Sequence, residues 1–315
     1  MSARPRIGAA VDLGSNSVHL LAAAVSGHRL RPIIDESTFL GLGATVDARA
    51  HLGTAARAEL VATLQGYVST ARLVGATTIT LMGTEPIRRA ADGAAIVAAV
   101  GTGTGVPLHV LTHEEEGFLT LIGVTEGRPV THETLVVDIG GGSSEFCAVG
   151  ARGHARAAGL RLGSNRLTTR YVTHDPPTPD DIAAMTAAAD LALADAIDVR
   201  PREIVAVGGT ASNLLKVAPG GVTDTILTRD RLAAALATLL ERPAAETSER
   251  YLVNPKRARL LPAGATIVDA LLRRYGASQV RVSDAGMREG AILIADHVGC
   301  AWRDRLASMA HGWRT

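Results

Sequence analysis

The sequence predicts an α/β protein in two domains, and three observations carry that prediction. The chain has 315 residues, of which 47% are hydrophobic and 20% charged, enough to bury two cores. Short β-rich runs alternate with helical repeats along most of its length. A strand ending in Asp-x-Gly, followed by a small polar turn and a returning strand, occurs once in each half. The first copy is Asp12-Leu13-Gly14-Ser15-Asn16-Ser17 and the second is Asp138-Ile139-Gly140-Gly141-Gly142-Ser143. Two related domains facing a central cleft would present both loops to one ligand.

The elements follow in order. Ile7 to Val25 reads strand, turn, strand, and residues 28–53 finish the first sheet. Leu60, Leu64, Val68 and Leu73 give helical spacing from Thr54 to Val74, with Thr54 as its cap. Thr77 to Met82 is a strand running into Gly83-Thr84-Glu85-Pro86-Ile87-Arg88-Arg89, a turn that opens a helix. Ala94 to Val100 is helical. Gly101-Thr102-Gly103-Thr104-Gly105 resembles a nucleotide loop but lacks a preceding strand, so it reads as a flexible connection to the strand Leu108 to Leu111. Thr112-His113-Glu114-Glu115-Glu116-Gly117 opens the next helix, where the helix dipole favours acidic residues. Gly127-Arg128-Pro129 is the expected junction between domains at 1–127 and 128–315.

The second domain begins with the strand Leu135 to Asp138, and residues 154–160 supply another. Pro176 to Pro179 is a stiff linker before a helix from Asp180 to Ile197. Ile204 to Asn213 is a strand, a Gly208-Gly209-Thr210 turn and a helix start, a third candidate phosphate or nucleoside contact. Helices at Arg231 to Leu240 and Arg257 to Tyr275 precede the strand Val280 to Ser283. Asp284 to Gly290 turns into a last apolar helix, and an amphipathic tail begins at Trp302.

Successive N–H groups in the two glycine turns form nests that suit phosphate, and flanking carboxylates suit a hard cation such as Mg²⁺. A net charge of +1 gives no global field for nucleic acid, so a polyanion site must gather local arginines. Lysine occurs only at Lys216 and Lys256. Cys147 and Cys300 are too few for a disulfide framework, and Cys147 reads as buried packing. The sequence shows no signal peptide and no spanning apolar run, so a cytoplasmic protein without membrane partners is expected. His113 lies beside three glutamates, but the His-Glu-x-x-His spacing of a zinc site is missing.

Paired Asp-x-Gly hairpins plus a Gly-Gly-Thr turn resemble the superfamily of actin, heat-shock ATPases and sugar kinases (ASKHA, ribonuclease H-like domains). Within it the chain is similar to the exopolyphosphatase and guanosine pentaphosphate phosphatase family. Five ordered blocks carry the resemblance: Asp12 to Leu20, Gly83 to Arg88, Glu115 to Val124, Val137 to Glu145 and Val282 to Gly290. The chain departs from the family pattern at His19, where the family usually has Arg, and in the polar residues Arg161 and Asn165. It resembles the short, two-domain form, without the C-terminal helical portion of longer members.

The resemblance implies exopolyphosphatase activity: hydrolysis of the terminal phosphoanhydride of inorganic polyphosphate. The alternative is 5′-phosphohydrolysis of guanosine pentaphosphate. A remoter class is an actin-like ATP-binding switch, kinase or filament protein. It further implies Glu116 as general base and a homodimer, for which the C-terminal apolar helix offers a surface. Gly14, Ser15, Asn16 and Ser17 and Gly140, Gly141, Gly142, Ser143 and Ser144 would clamp phosphate, with Arg88 contacting it as a guanidinium fork. Asp138 and Glu145, with Asp12 as a third, would hold Mg²⁺ or another divalent cation. Arg161, Arg166 and Arg288 are either phosphate contacts or ordinary ion-pair partners.

Overall fold

Alternation with period two puts successive strand residues on opposite faces, and the first sheet uses it to bury helices on two sides. A computed structural model describes residues 5–151 and 153–313. The first sheet contains β1 (Arg6–Leu13), β2 (Ser17–Ser26), β3 (Arg29–Phe39), β4 (Thr78–Gly83) and β5 (Leu108–Val110). Its order is β3-β2-β1-β4-β5, antiparallel through β3, β2 and β1 and parallel from β1 to β5. The second contains β6 (Thr134–Ile139), β7 (Ser144–Val149), β8 (Arg156–Leu160), β9 (Glu203–Val207), β10 (Ile226–Thr228) and β11 (Gln279–Ser283). Its order, β8-β7-β6-β9-β11-β10, repeats the same pattern with an added antiparallel edge strand. The repeat legible in two loops therefore extends to whole sheets.

The chain divides into two compact units. The first takes the chain up to Val130, residues 153–155 and everything from Ala285 onward; the second takes the rest. The expected boundary at 127/128 is close, but the expected second domain ran on to 315, and its last segment belongs to the first unit. Glycine provides the physical reason. A Cβ on Gly290 would stand 1.8 Å from the Leu119 carbonyl oxygen, and one on Gly123 would stand 1.9 Å from that of Gly286. The helices His113–Thr125 and Met287–Val298 thus meet backbone to backbone, which only glycine allows.

In the first unit, Ala9, Val11 and Leu13 pack on one face of the sheet with Leu60, Leu64 and Ile96. Ala10, Leu21 and Met82 pack on the other with Leu119, Ile122, Ile292, Trp302 and Leu306. The C-terminal apolar helix is thus core rather than the exposed dimer surface expected of it. The second unit buries Val137, Phe146 and Ala206 with Leu214 and Ile267. Cys147 is buried, as expected, and burial pushes its thiol well up from the usual range.

Two local readings change. Helix Thr54–Leu73 is capped at Gly53, so Thr54 is its first residue and not its cap. The glycine-threonine run from 101 to 105 is not a flexible connection: the helix Gly93–Thr104 continues through it. A Cβ on Gly103 would meet Val61 at 2.5 Å, so this glycine serves close helix packing. Gly105, with φ of 70°, closes the helix. Among the described residues no helix is long and apolar enough to cross a membrane.

Candidate active site

Each Asp-x-Gly turn is held by the segment that follows its hairpin, and the same backbone bond closes both. Gly14 N–H donates to Ser17 O (3.1 Å), and Gly140 N–H donates to Ser143 O (3.0 Å). In the first unit, Asn16 O accepts from the N–H groups of Leu40 (3.1 Å) and Gly41 (2.9 Å), and Ser15 O accepts from Gly43 (2.8 Å). Ser15 Oγ donates to Glu85 at 3.3 Å. In the second unit, Gly140 O accepts from Ser164 N–H (3.0 Å), Gly141 O from Arg166 N–H (3.1 Å), and Gly142 O from Arg166 Nε (2.9 Å). A Cβ on Gly163 would come within 2.4 Å of Gly141 O, so this brace needs glycine. Fixing the carbonyls fixes the peptide planes, and with them the direction of the N–H groups expected to face phosphate. The braces at 40–43 and 163–166 escaped the sequence reading, although the polar run around Arg161 and Asn165 marked the second.

Strand register decides what stands opposite each aspartate. Asp12 faces His19 and Asp138 faces Glu145, at equivalent positions of the two hairpins. Directly opposed residues share a face, so the second unit presents two carboxylates together, one of them on the buried Glu145. Two like charges so placed repel unless positive charge joins them, and their oxygens form a donor set suited to a hard divalent cation. Asp12, expected as a third ligand, has Arg288 beside it: burial works against the charge of that guanidinium, but Glu289, Asp35 and Asp12 outweigh it and raise its pKa. Arg288 donates to Asp35 at 2.6 Å, as an ion-pair partner would.

Gly208, with φ of 92°, lets the turn after β9 close on Asp138: a Cβ there would stand 2.6 Å from its carboxylate oxygen. Gly209 opens the helix Gly209–Val217 and stands against the Arg257 guanidinium, 2.9 Å from where its Cβ would be. Thr210 Oγ1 reaches Ser164 Oγ at 3.4 Å, linking this turn to the brace of the glycine loop. Ser143 is buried at the loop's end. Ser144 differs from its neighbours: it is fully buried and donates its hydroxyl to Leu162 O at 2.6 Å. Its hydroxyl hydrogen serves the hairpin, not an incoming anion.

In the first unit a polar grouping surrounds Glu116. This residue is buried in the first turn of the helix His113–Thr125, where the N-terminal dipole favours a carboxylate. Arg88 pairs with Glu116 and donates to Leu111 O. Its other terminal nitrogen lies 3.0 Å from His113 Nδ1 and 3.1 Å from Nε2. Burial, and then Arg88, lower the pKa of His113, favouring the neutral ring that can accept such a bond. The residues expected as phosphate contact and base are therefore salt-bridged to each other, a contact between positions 28 apart that no spacing rule reveals.

The Ppx/GppA phosphatase family profile matches residues 20–296. The chain belongs to the Ppx/GppA phosphatase family. Among its relatives in that family are exopolyphosphatase 1 of Mycobacterium leprae, 28% identical, covering 90% of this chain and 87% of the relative, and exopolyphosphatase 2 of Mycobacterium tuberculosis, 26% identical, covering 90% and 97%. The crystal structure of the Aquifex aeolicus Ppx/GppA family member matches with a TM-score of 0.80 at 27% identity, over 91% of this chain and 96% of that one. The actin-like, ASKHA-type fold expected from the hairpins is the fold of this family, and the chain is an enzyme of the phosphoanhydride hydrolase class.

Proposed function

We propose that this enzyme is an exopolyphosphatase that removes orthophosphate from the end of inorganic polyphosphate. What carries the reading is Glu116, a buried carboxylate at a helix N-terminus in a chain whose exopolyphosphatase-named relatives align over nine-tenths of its length. Hydrolysis of an anhydride by water needs the water oriented, its proton accepted and phosphate charge neutralised. Glu116, paired with Arg88 and placed at the helix N-terminus, is the group to orient the water and take its proton. Arg88 holds Glu116 before substrate binds and can offer its remaining donors to a phosphate oxygen.

In the second unit, Gly141 to Ser143 supply backbone donors to phosphate, while the Gly140 N–H closes the turn on Ser143 O and Ser144 sets the hairpin. In the first unit Ser15 to Ser17 do the same, with the Gly14 N–H closing the turn on Ser17 O. Asp138 and Glu145 would hold a divalent cation, for which Mg²⁺ is the natural choice. When bound, that ion neutralises phosphate oxygens and spreads the charge that builds up on the leaving group. The Gly208 to Thr210 turn is assigned to whatever follows the terminal phosphates. A homodimer, a cytoplasmic location and the absence of nucleic-acid and membrane partners complete the proposal.

The test is phosphate release from short polyphosphate, long polyphosphate and guanosine pentaphosphate, measured side by side with wild-type enzyme and Glu116→Gln. The expected result is turnover of polyphosphate, reduced by roughly 10²–10⁴-fold in the variant. Release from guanosine pentaphosphate alone would move the assignment to that nucleotide. Unchanged turnover in Glu116→Gln would remove the base.

A further inference from the structure

The end of β5 is gripped by two arginines from distant parts of the first unit. Arg88 takes the carbonyl of Leu111, and Arg303, on the helix Trp302–Met309, takes that of Val110 at 2.8 Å. Arg303 also closes a fork on Glu115, with Nε to Oε1 at 2.6 Å and Nη2 to Oε2 at 2.9 Å. Glu115 Oε2 in turn accepts the Thr112 N–H at 2.8 Å, and Thr112 Oγ1 accepts the Glu115 N–H at 3.2 Å, completing a capping box. The next residue is Glu116.

Arg303 therefore joins strand end, cap and helix start at the turn that carries the proposed base. Its own helix is seated firmly. Trp302 and Leu306 are buried, and Trp302 meets His109 of β5 edge to face with ring centroids 5.3 Å apart. Burial raises the pKa of Glu115, but the Arg303 fork and the Thr112 bonds outweigh it and hold the carboxyl below its usual range. Helix dipole and cap suffice to explain an acid at position 115. They do not explain why an arginine from almost 190 residues later in the chain, which belongs to the segment that returns to this unit, also ties Val110.

We infer that Arg303 is a positioning residue for Glu116. It acts through Glu115 and the carbonyl of Val110, and it makes the C-terminal helix part of the catalytic framework. The inference rests on the reading of Glu116 as base. A charge-assisted bidentate contact fixes direction as well as distance, and a carboxylate that must orient a water tolerates little drift.

The experiment measures polyphosphate hydrolysis by Arg303→Ala, Arg303→Lys and Glu115→Gln, each alone and with Glu116→Gln, alongside thermal unfolding. Arg303→Ala is expected to lower kcat about tenfold with KM within about twofold, the pattern of a group that matters in the transition state rather than in binding. Arg303→Lys should recover part of the loss, since it keeps charge but not the fork. Glu115→Gln keeps an acceptor for the cap and so tests the same link if Arg303→Ala does not fold. In the Glu116→Gln background none of these changes should lower the residual rate further. A full kcat in Arg303→Ala, or the same tenfold drop in the Glu116→Gln background, overturns the positioning role and leaves the base intact. Unchanged turnover in Glu116→Gln alone overturns the base itself.

Discussion

Replacing Gly290 with alanine sets two effects of opposite sign against each other. Within the helix Met287–Val298, alanine is favoured over glycine by about 1 kcal/mol. Against this, the new methyl carbon would stand 1.8 Å from Leu119 O, 2.7 Å from Leu119 C and 3.0 Å from Gly123 N. A carbon meets a carbonyl oxygen comfortably only at about 3.3 Å, so the two helices must part by roughly 1.5 Å. All three opposing atoms are backbone, so no rotamer change relieves the contact. Overpacking of this kind costs about 1–3 kcal/mol, and here the upper end applies. The net loss is then about 2 kcal/mol, or about 4–8 °C in the unfolding midpoint for a unit of this size. Activity should fall as well, because the displaced partner is the helix that carries Glu116, and a misplacement of about 1 Å can cost roughly 10²-fold. Scanning calorimetry combined with phosphate release checks both. A midpoint equal to or above wild type would show that the helices do not meet through Gly290, and would remove the physical reason for placing the segment after Ala285 in the first unit.

Three further outcomes follow. Gly66→Ala, in the exposed interior of the helix Thr54–Leu73 where an added Cβ meets nothing within 4 Å, should raise stability by about 0.5–1 kcal/mol in denaturant unfolding. Asp138→Asn should raise the Mg²⁺ concentration for half-maximal phosphate release at least about tenfold, because it halves the opposed carboxylate pair; an unchanged metal titration would count against that pair as the cation site. His109 has its pKa lowered by burial first and then by Arg303. Its neutral form therefore contributes stability that is fully present above about pH 6.5 and is lost as pH falls through the folded value. His109→Phe, which keeps a ring against Trp302, should make the fall in unfolding midpoint between pH 7 and pH 5.5 shallower, as calorimetry at each pH would record.

The hairpins were legible in the sequence because apolar runs, Asp-x-Gly and a returning apolar run are local signals, and strand register follows from the turn. The helix around Glu116 was legible for the same reason, as acidic first-turn residues precede an apolar repeat. The partners of those elements were not. Arg88 and Glu116 lie on separate helices, and their pairing depends on where β4 and β5 end side by side. The braces that hold the glycine turns are mostly backbone bonds, to which side-chain pattern is blind. Gly101 to Gly105 reads as a free connection because glycine permits many conformations, whereas in the fold Gly103 leaves room for Val61. The return of the C-terminal segment to the first unit likewise turns on Gly123 and Gly290, residues that carry no hydrophobic signal.

That return also sets an order on folding. As the chain is synthesised, the second unit is essentially complete once Asp284 has emerged, since nearly all of it is one continuous stretch. The first unit begins earlier and finishes later. Until the helices Met287–Val298 and Trp302–Met309 follow, the face of its sheet bearing Ala10, Leu21 and Met82 lacks the cover it has in the finished protein. The unit that begins first is thus the last to close, and a nascent chain passes through a stage with one unit complete and one apolar face covered only in part, by Leu119 and Ile122, the condition in which chaperones bind and aggregation competes.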